Sequence, residues 1–386
     1  MKQHVQHLVI GAGAAGSAAA HALARRGQDV LLLEQFQIGH GRGSSFGPSR
    51  IFRLAYEEPD YAGLAQAALT SWRALESESG ERLYWRTGGL DLGPAGTPSL
   101  EAVHASLSAL DAAPERLSRR ELARRYPQWQ VPPDWEAVYS PEAGIVSPQI
   151  TLRVLTDLAR QHGARVLEGV ATLEIEPGQQ PAVRTSAGVV TCDHLIVAAG
   201  AWLPRLVPGL QPSLSVTLAA SSFYRPDDLA AFQPERFPVF ITHDDEFQAY
   251  GFPAFGVPGV KIGVDVVRPV TSGDDRTFEV PPQVSEASDT FMRRYLPGAS
   301  AVMERQTCLI TRAPGGDFIL ALHPDCPQIT LASPCSGHGF KFTPLLGELL
   351  AAHALGERHP WHLPRFALPP QAMRQTAEQQ PLPGGL

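Results

Sequence analysis

A glycine-rich turn between two apolar strands constrains this chain most. Residues 4–10 read as a buried strand, and Gly11-Ala12-Gly13-Ala14-Ala15-Gly16 follows at once. Residues 17–26 read as an alanine-rich helix that Gly27 ends. Residues 29–33 return as a second apolar strand with Glu34 at its end. Strand, turn, helix and strand within about thirty residues is the setting in which G-x-G-x-x-G carries meaning. The three glycines do different work. Gly11 makes the tight turn, Gly13 lets backbone approach a pyrophosphate, and Gly16 lets helix and strand pack closely. The helix start offers free amides and a positive dipole to phosphates. Glu34, eighteen residues past Gly16, stands where an acid bonds a ribose hydroxyl. A carboxylate there favours an unphosphorylated ribose, so FAD or NAD over NADP. The fingerprint does not choose between those two.

A second element, residues 195–202, is an apolar strand running into Gly200, and it suits a second approach to the same dinucleotide. Residues 35–49 form a loop rich in glycine and serine, placed to touch a ligand. Helical patterns cover 61–75, 99–110, 118–125, 148–162 and 344–355. Strand patterns cover 83–93, 165–176, 183–199, 303–322 and 328–332, and residues 215–267 alternate like an antiparallel meander. The chain's 386 residues exceed the roughly 250–300 at which one core stops growing, so two lobes are expected. The pattern predicts an α/β fold: a Rossmann-like nucleotide lobe with an inserted, mostly antiparallel β lobe for the substrate. Residues 1–85, 140–213 and 303–370 are assigned to the first lobe and 86–139 and 214–302 to the second. Residues 371–386 are assigned to a C-terminal tail.

Net charge is −7, from 32 basic and 39 acidic residues, so no basic surplus exists for nucleic acid. No apolar run approaches the roughly 20 residues of a membrane span. A first strand beginning near residue 4 leaves no room for a signal peptide. Cys192, Cys308, Cys326 and Cys335 show no CxxC pair and no regular spacing. Neither a disulfide framework nor a zinc site is expected, no metal is assigned, and a reducing cytoplasm is the simplest location. Only three lysines, Lys2, Lys261 and Lys341, stand against twenty-nine arginines. A lysine retained against that background is a candidate for chemistry that arginine cannot supply.

Five segments carry a resemblance to a known family. They are IGAGAAGSAAAHALARRGQDVLLLE (10–34), GSSFGPSRIFRLAY (43–56), YGFPAFGVPGVKIG (250–263), TCLITRAPGGDFIL (307–320) and SGHGFKF (336–342). The chain resembles the monomeric sarcosine oxidase and N-methyltryptophan oxidase group of FAD-dependent amine oxidases, with a D-amino-acid-oxidase-like fold, over about residues 4 to 368. The resemblance implies FAD held covalently by a thioether from Cys308 to the flavin 8-methyl carbon. It implies that Arg53 and Lys341 bind a substrate carboxylate, that Arg50 lies near the flavin ring, and that Lys261 speeds oxygen reduction. Tyr250 and His338 match pocket positions, Gly337, Gly339 and Lys341 are assigned to the cofactor site, and His338 between its two glycines is expected near the flavin. Three positions depart from the family pattern. Phe46 and Asp265 stand where histidines are usual, and Ile310 replaces an aromatic residue; the last two count against sarcosine itself as substrate.

The expected activity is oxidation of a secondary amine or N-methyl amino acid, with hydride transfer to FAD and dioxygen reduced to hydrogen peroxide, by a monomer. Three alternatives stay open at the level of sequence. One is an FAD-dependent amine dehydrogenase with a non-oxygen acceptor, another an NAD-linked dehydrogenase, and the last a flavin-binding scaffold without catalysis.

Overall fold

The computed structural model describes residues 2–370 apart from 212, 266 and 271, together with residue 372. Apart from residue 372, the expected 371–386 tail lies outside the described residues. The strand Lys2–Ile10 sits inside an eight-stranded sheet. It pairs in parallel with Val30–Leu33 on one side and with Gly188–Val197 on the other. Val5, Leu8, Val9 and Ile10 are all buried, as a strand covered on both faces requires. Arg165–Leu167 extends the sheet beyond Val30–Leu33. Gly188–Val197 pairs with Ala182–Thr185 and, in parallel, with Cys326–Ser333. The helix Ala14–Arg25 is buried over residues 16–24, because the sheet lies on one side and the helices Pro148–Gln161 and Thr343–Ala354 on the other. Its small residues permit that approach: a Cβ on Gly347 would overlap the Ala18 carbonyl.

Three segments read as strands are divided, one of them, 303–322, into Ala301–Arg312 and Ile319–His323. Residues 165–176 form Arg165–Leu167 and Thr172–Glu176, with Gly169 at φ +73° between them. Residues 183–199 belong to the hairpin Ala182–Thr185 and Gly188–Val197. Glycine turns interrupt apolar runs that look continuous by hydropathy.

The second sheet has nine strands. Ser215–Arg225 is central, antiparallel to Ala301–Arg312 along one edge and to Val260–Val264 and Arg268–Val270 along the other. Ala249–Phe252, Val239–Thr242, Gly89–Pro94, Trp135–Ser140 and Glu115–Leu117 continue it. One boundary needs correction. The sequence reading returns the chain to the nucleotide lobe at residue 303, but Ala301–Arg312 pairs throughout with Ser215–Arg225. The chain rejoins the first sheet only at Ile319–His323. A helix absent from that reading, Pro282–Tyr295, covers this sheet. It buries Val284, Ser288, Phe291, Met292 and Tyr295, a helical spacing visible in the sequence. Phe291 and Tyr295 pack with Trp129, Phe240 and Phe247 in the lobe's aromatic core.

Candidate active site

A cleft of about 740 Å³ is lined by residues of both sheets. Its nucleotide end is built by the glycine turn. Gly11 has φ +94°, and a Cβ there would lie 2.6 Å from the Ala198 carbonyl oxygen. A Cβ on Gly16 would overlap the Gly11 carbonyl, which explains why Gly16 packs behind the cleft while Gly11 and Gly13 line it. Gly200, at φ +51°, lines the cleft from the second glycine turn. The Ala14 amide, at the helix start, donates to Ser45 Oγ at 3.1 Å, so the 35–49 loop lies against the expected phosphate position. The buried Glu34 carboxylate accepts from the Ala12 and Phe36 amides, each at 2.9 Å, and lies 3.4 Å from His40 Nε2. Burial pushes its pKa up, but His40 and the two amides outweigh that and hold it below the usual range.

Strand register gathers a second group. Ala219 faces Cys308, Ser221 faces both Gln306 and Gly263, and Gly263 faces Tyr250. Residues two apart share a face, so Cys308, Ser221, Tyr250 and Lys261 project from one side of the sheet, and all four line the cleft. A Cβ on Gly263 would lie 2.4 Å from the Tyr250 ring, so this glycine makes room for the tyrosine. Lys261 is buried and donates to the Ser49 carbonyl at 3.1 Å, with Nζ 4.8 Å from the Phe252 ring centroid. Burial, then the nearby Arg50 guanidinium, pushes its pKa well below the ordinary value. The Cys308 thiol is raised by burial, against the opposing pull of Arg50 and Lys261. Burial also lifts Tyr250 to about 12, so it stays protonated at neutral pH.

A third group brings Arg53, Lys341, Tyr56 and His338 together. Lys341 Nζ donates to Tyr56 Oη and to the His338 carbonyl, both at 2.8 Å. His338 Nε2 lies 3.0 Å from the Gly316 carbonyl, so it carries the proton. Nδ1 is then the acceptor for the Tyr56 hydroxyl at 2.9 Å. Burial, then the Lys341 charge, holds His338 down at about 3, which keeps this neutral tautomer. The Arg53 guanidinium carbon lies 4.5 Å from the Tyr56 ring centroid. Burial and the Arg53 charge push the Lys341 pKa well below its ordinary value. Among the described residues no carboxylate pairs with Arg53 or Lys341, so two cationic groups share this end of the cleft without a counter-charge.

Comparison with known proteins fits this geometry. The family described as FAD dependent oxidoreductase matches residues 6–353. The chain belongs to the FAD-dependent oxidoreductase family. It is 31% identical to a monomeric sarcosine oxidase of Bacillus sp. (strain B-0618), covering 98% of this chain and 99% of that one. It is 28% identical to an N-methyl-L-tryptophan oxidase of Yersinia pestis, over 94% and 98% of the two chains. The solved structure of NikD, an unusual amino acid oxidase essential for nikkomycin biosynthesis, superposes with a TM-score of 0.84 at 25% identity, covering 95% of this chain and 97% of that one.

The residues present fit FAD. Gly11 holds the turn tight against the Ala198 carbonyl where no Cβ fits, the helix start faces the 35–49 loop, and Glu34 stands beside the turn. The volume lies within the range of cofactor sites. Arg50, Gly337 and Gly339 also line the cleft. A Cβ on Gly339 would overlap the Pro334 carbonyl, so the SGHGFKF turn depends on this glycine. His338 lines the cleft as expected, and protein atoms engage both of its ring nitrogens, so it helps to position Tyr56 and Lys341. The three departures Phe46, Asp265 and Ile310 line the cleft too, and Asp265 pairs with Arg312 at 3.1 Å. Tyr56 was missed, although it ends the GSSFGPSRIFRLAY segment. Cys335, a second thiol lining the flavin cleft, was also missed, and nothing in its spacing marks it.

Proposed function

We propose that this FAD-dependent oxidoreductase is an oxidase of secondary amines of the N-methyl or cyclic amino-acid class, reducing dioxygen to hydrogen peroxide. The observation that carries this reading is the pair Arg53 and Lys341, which share one end of the cleft without an acidic partner among the described residues. An amino-acid carboxylate supplies the missing charge, and a guanidinium grips it bidentately. Bound FAD supplies a two-electron acceptor for hydride from the carbon beside nitrogen. The amine must arrive unprotonated, because its lone pair drives hydride departure. No strong base is needed for that step, in keeping with the engaged nitrogens of His338 and the protonated Tyr250 hydroxyl. Tyr56 and the His338 carbonyl hold the Lys341 ammonium toward the carboxylate. Lys261 supplies a fixed positive charge where dioxygen is reduced. Cys308 holds the cofactor through a thioether.

Ile310 gives the substrate an apolar wall, and Asp265, held by Arg312 at 3.1 Å, lies beside the same cleft, which favours an amine larger than sarcosine. All four cysteines are free, in keeping with a cytoplasmic monomer. No described helix is long and apolar enough to cross a membrane. The test is a panel of secondary amines and N-methyl amino acids read by peroxide release. Acid precipitation and peptide mass analysis accompany it. A flavin-modified peptide containing Cys308 and carboxylate-dependent peroxide formation are expected. Protein purified without a yellow chromophore, or flavin that no amine bleaches anaerobically, would refute the reading.

A further inference from the structure

We infer that His21, Glu78 and His162 form a binding site for one divalent cation of the zinc class, outside the flavin cleft. None of the three lines that cleft. His21 belongs to the helix Ala14–Arg25, Glu78 to the last turn of the helix Pro59–Ser79, and His162 directly follows the helix Pro148–Gln161. His21 Nε2 lies 3.0 Å from Glu78 Oε1, and His162 Nε2 lies 3.2 Å from the same oxygen. All three ligand atoms fall within 4.8 Å of one another. Zinc–nitrogen and zinc–oxygen bonds of about 2.0–2.1 Å at tetrahedral angles put neighbouring ligands roughly 3.3 Å apart. The two observed separations lie within a few tenths of an ångström of that edge, and the two imidazole nitrogens, within 4.8 Å of each other, would close on the cation through the more exposed His162 side chain.

The surroundings fit an open coordination site. Side-chain exposure rises from 8% at His21 through 24% at Glu78 to 37% at His162, which leaves a solvent-facing fourth position for water. Arg25 Nη1 lies 3.4 Å from Glu78 Oε2, while Arg25 Nη2 pairs with Glu348 at 2.5 Å. That contact turns the second carboxylate oxygen away and leaves Oε1 as a single-oxygen ligand, an outer-sphere arrangement common at metal sites. Two imidazoles with one carboxylate suit zinc, cobalt or nickel, whereas magnesium and calcium prefer oxygen donors. The sequence concealed the site because its ligands are 57 and 84 residues apart and the cysteines play no part.

The competing arrangement is a metal-free clasp in which both imidazoles donate to Glu78. The experiment uses the flavin-containing protein after chelator treatment. Zinc is titrated by calorimetry and cobalt by visible absorption, with flavin absorbance as the control for folding. One equivalent of zinc is expected, with a tetrahedral cobalt band. His162→Gln and Glu78→Gln should each weaken zinc binding at least tenfold, with flavin content and amine oxidation unchanged. His162 is the safer variant because it is the most exposed of the three. Absence of stoichiometric zinc uptake, or uptake that survives both substitutions, would overturn the inference.

Discussion

Replacing Tyr56 with phenylalanine isolates the least obvious part of the site. The ring keeps its shape, so the nearby Tyr61, Phe342 and His338 rings keep their packing partner. Only the hydroxyl goes, and it serves two neighbours: it accepts from Lys341 Nζ at 2.8 Å and donates to His338 Nδ1 at 2.9 Å. A hydrogen bond to a charged group contributes about 1.5–3 kcal/mol, or roughly 10- to 150-fold in an equilibrium constant. The lost acceptor stabilised the charged form of Lys341. Its pKa is already depressed by burial and by Arg53, so Tyr56→Phe lowers it further. A substrate carboxylate then has to bind a lysine that is neutral more of the time. The dissociation constant of a carboxylate analogue lacking the amine should rise within that 10- to 150-fold range. It should also rise more steeply with increasing pH than in the parent enzyme, because deprotonation of Lys341 removes the partner. Perturbation of the flavin spectrum measures both effects without turnover. An analogue affinity within twofold of the parent at every pH would refute the reasoning. Unchanged affinity with a lowered kcat would move Tyr56 from carboxylate binding to the chemical step.

Lys261→Met should slow reoxidation of the reduced enzyme by roughly 100- to 1000-fold, the usual effect of removing one preorganised electrostatic stabiliser, while anaerobic reduction by amine changes little; stopped-flow absorbance separates the two. Glu34 has a depressed pKa in the folded state, so the unfolded chain binds more protons and stability rises with pH across that interval. Its contribution is present above the unfolded carboxylate value of about 4.3 and is lost as pH falls through the folded value. Glu34→Gln should remove this component from thermal midpoints measured against pH and cost about 1–3 kcal/mol near neutrality, since its amide group faces one of the two backbone donors. Gly263→Ala places a Cβ 2.4 Å from the Tyr250 ring; overpacking of about 1–3 kcal/mol should displace the ring, lower the thermal midpoint and alter KM across the amine panel without releasing flavin.

The nucleotide end was legible because its information is local. Gly11, Gly13, Gly16 and Glu34 lie on one strand-helix-strand unit, and each glycine's task follows from backbone sterics over a few residues. The other end is assembled from strands far apart in the chain. Lys261 donates to Ser49 across 212 positions and Lys341 to Tyr56 across 285, and no period or spacing reports such contacts. Local pattern fails for the same reason at Ala301–Arg312, where alternation identifies a strand but cannot say which sheet it joins. The lysine count carries different information. Both internal lysines are 5% exposed and line the flavin cleft, in a chain that otherwise uses arginine. Arginine stays charged even when buried, whereas a buried lysine shifts its pKa readily. Lys261 and Lys341 are both pushed well below the ordinary value, each with an arginine charge nearby. Arg50 and Arg53, both half-buried, already bring two permanent charges to the cleft, and arginine at the two buried positions would add two more. A lysine places one slim ammonium where the Ser49 carbonyl, or Tyr56 and the His338 carbonyl, satisfies it, whereas a guanidinium would bring five donors into the same buried space.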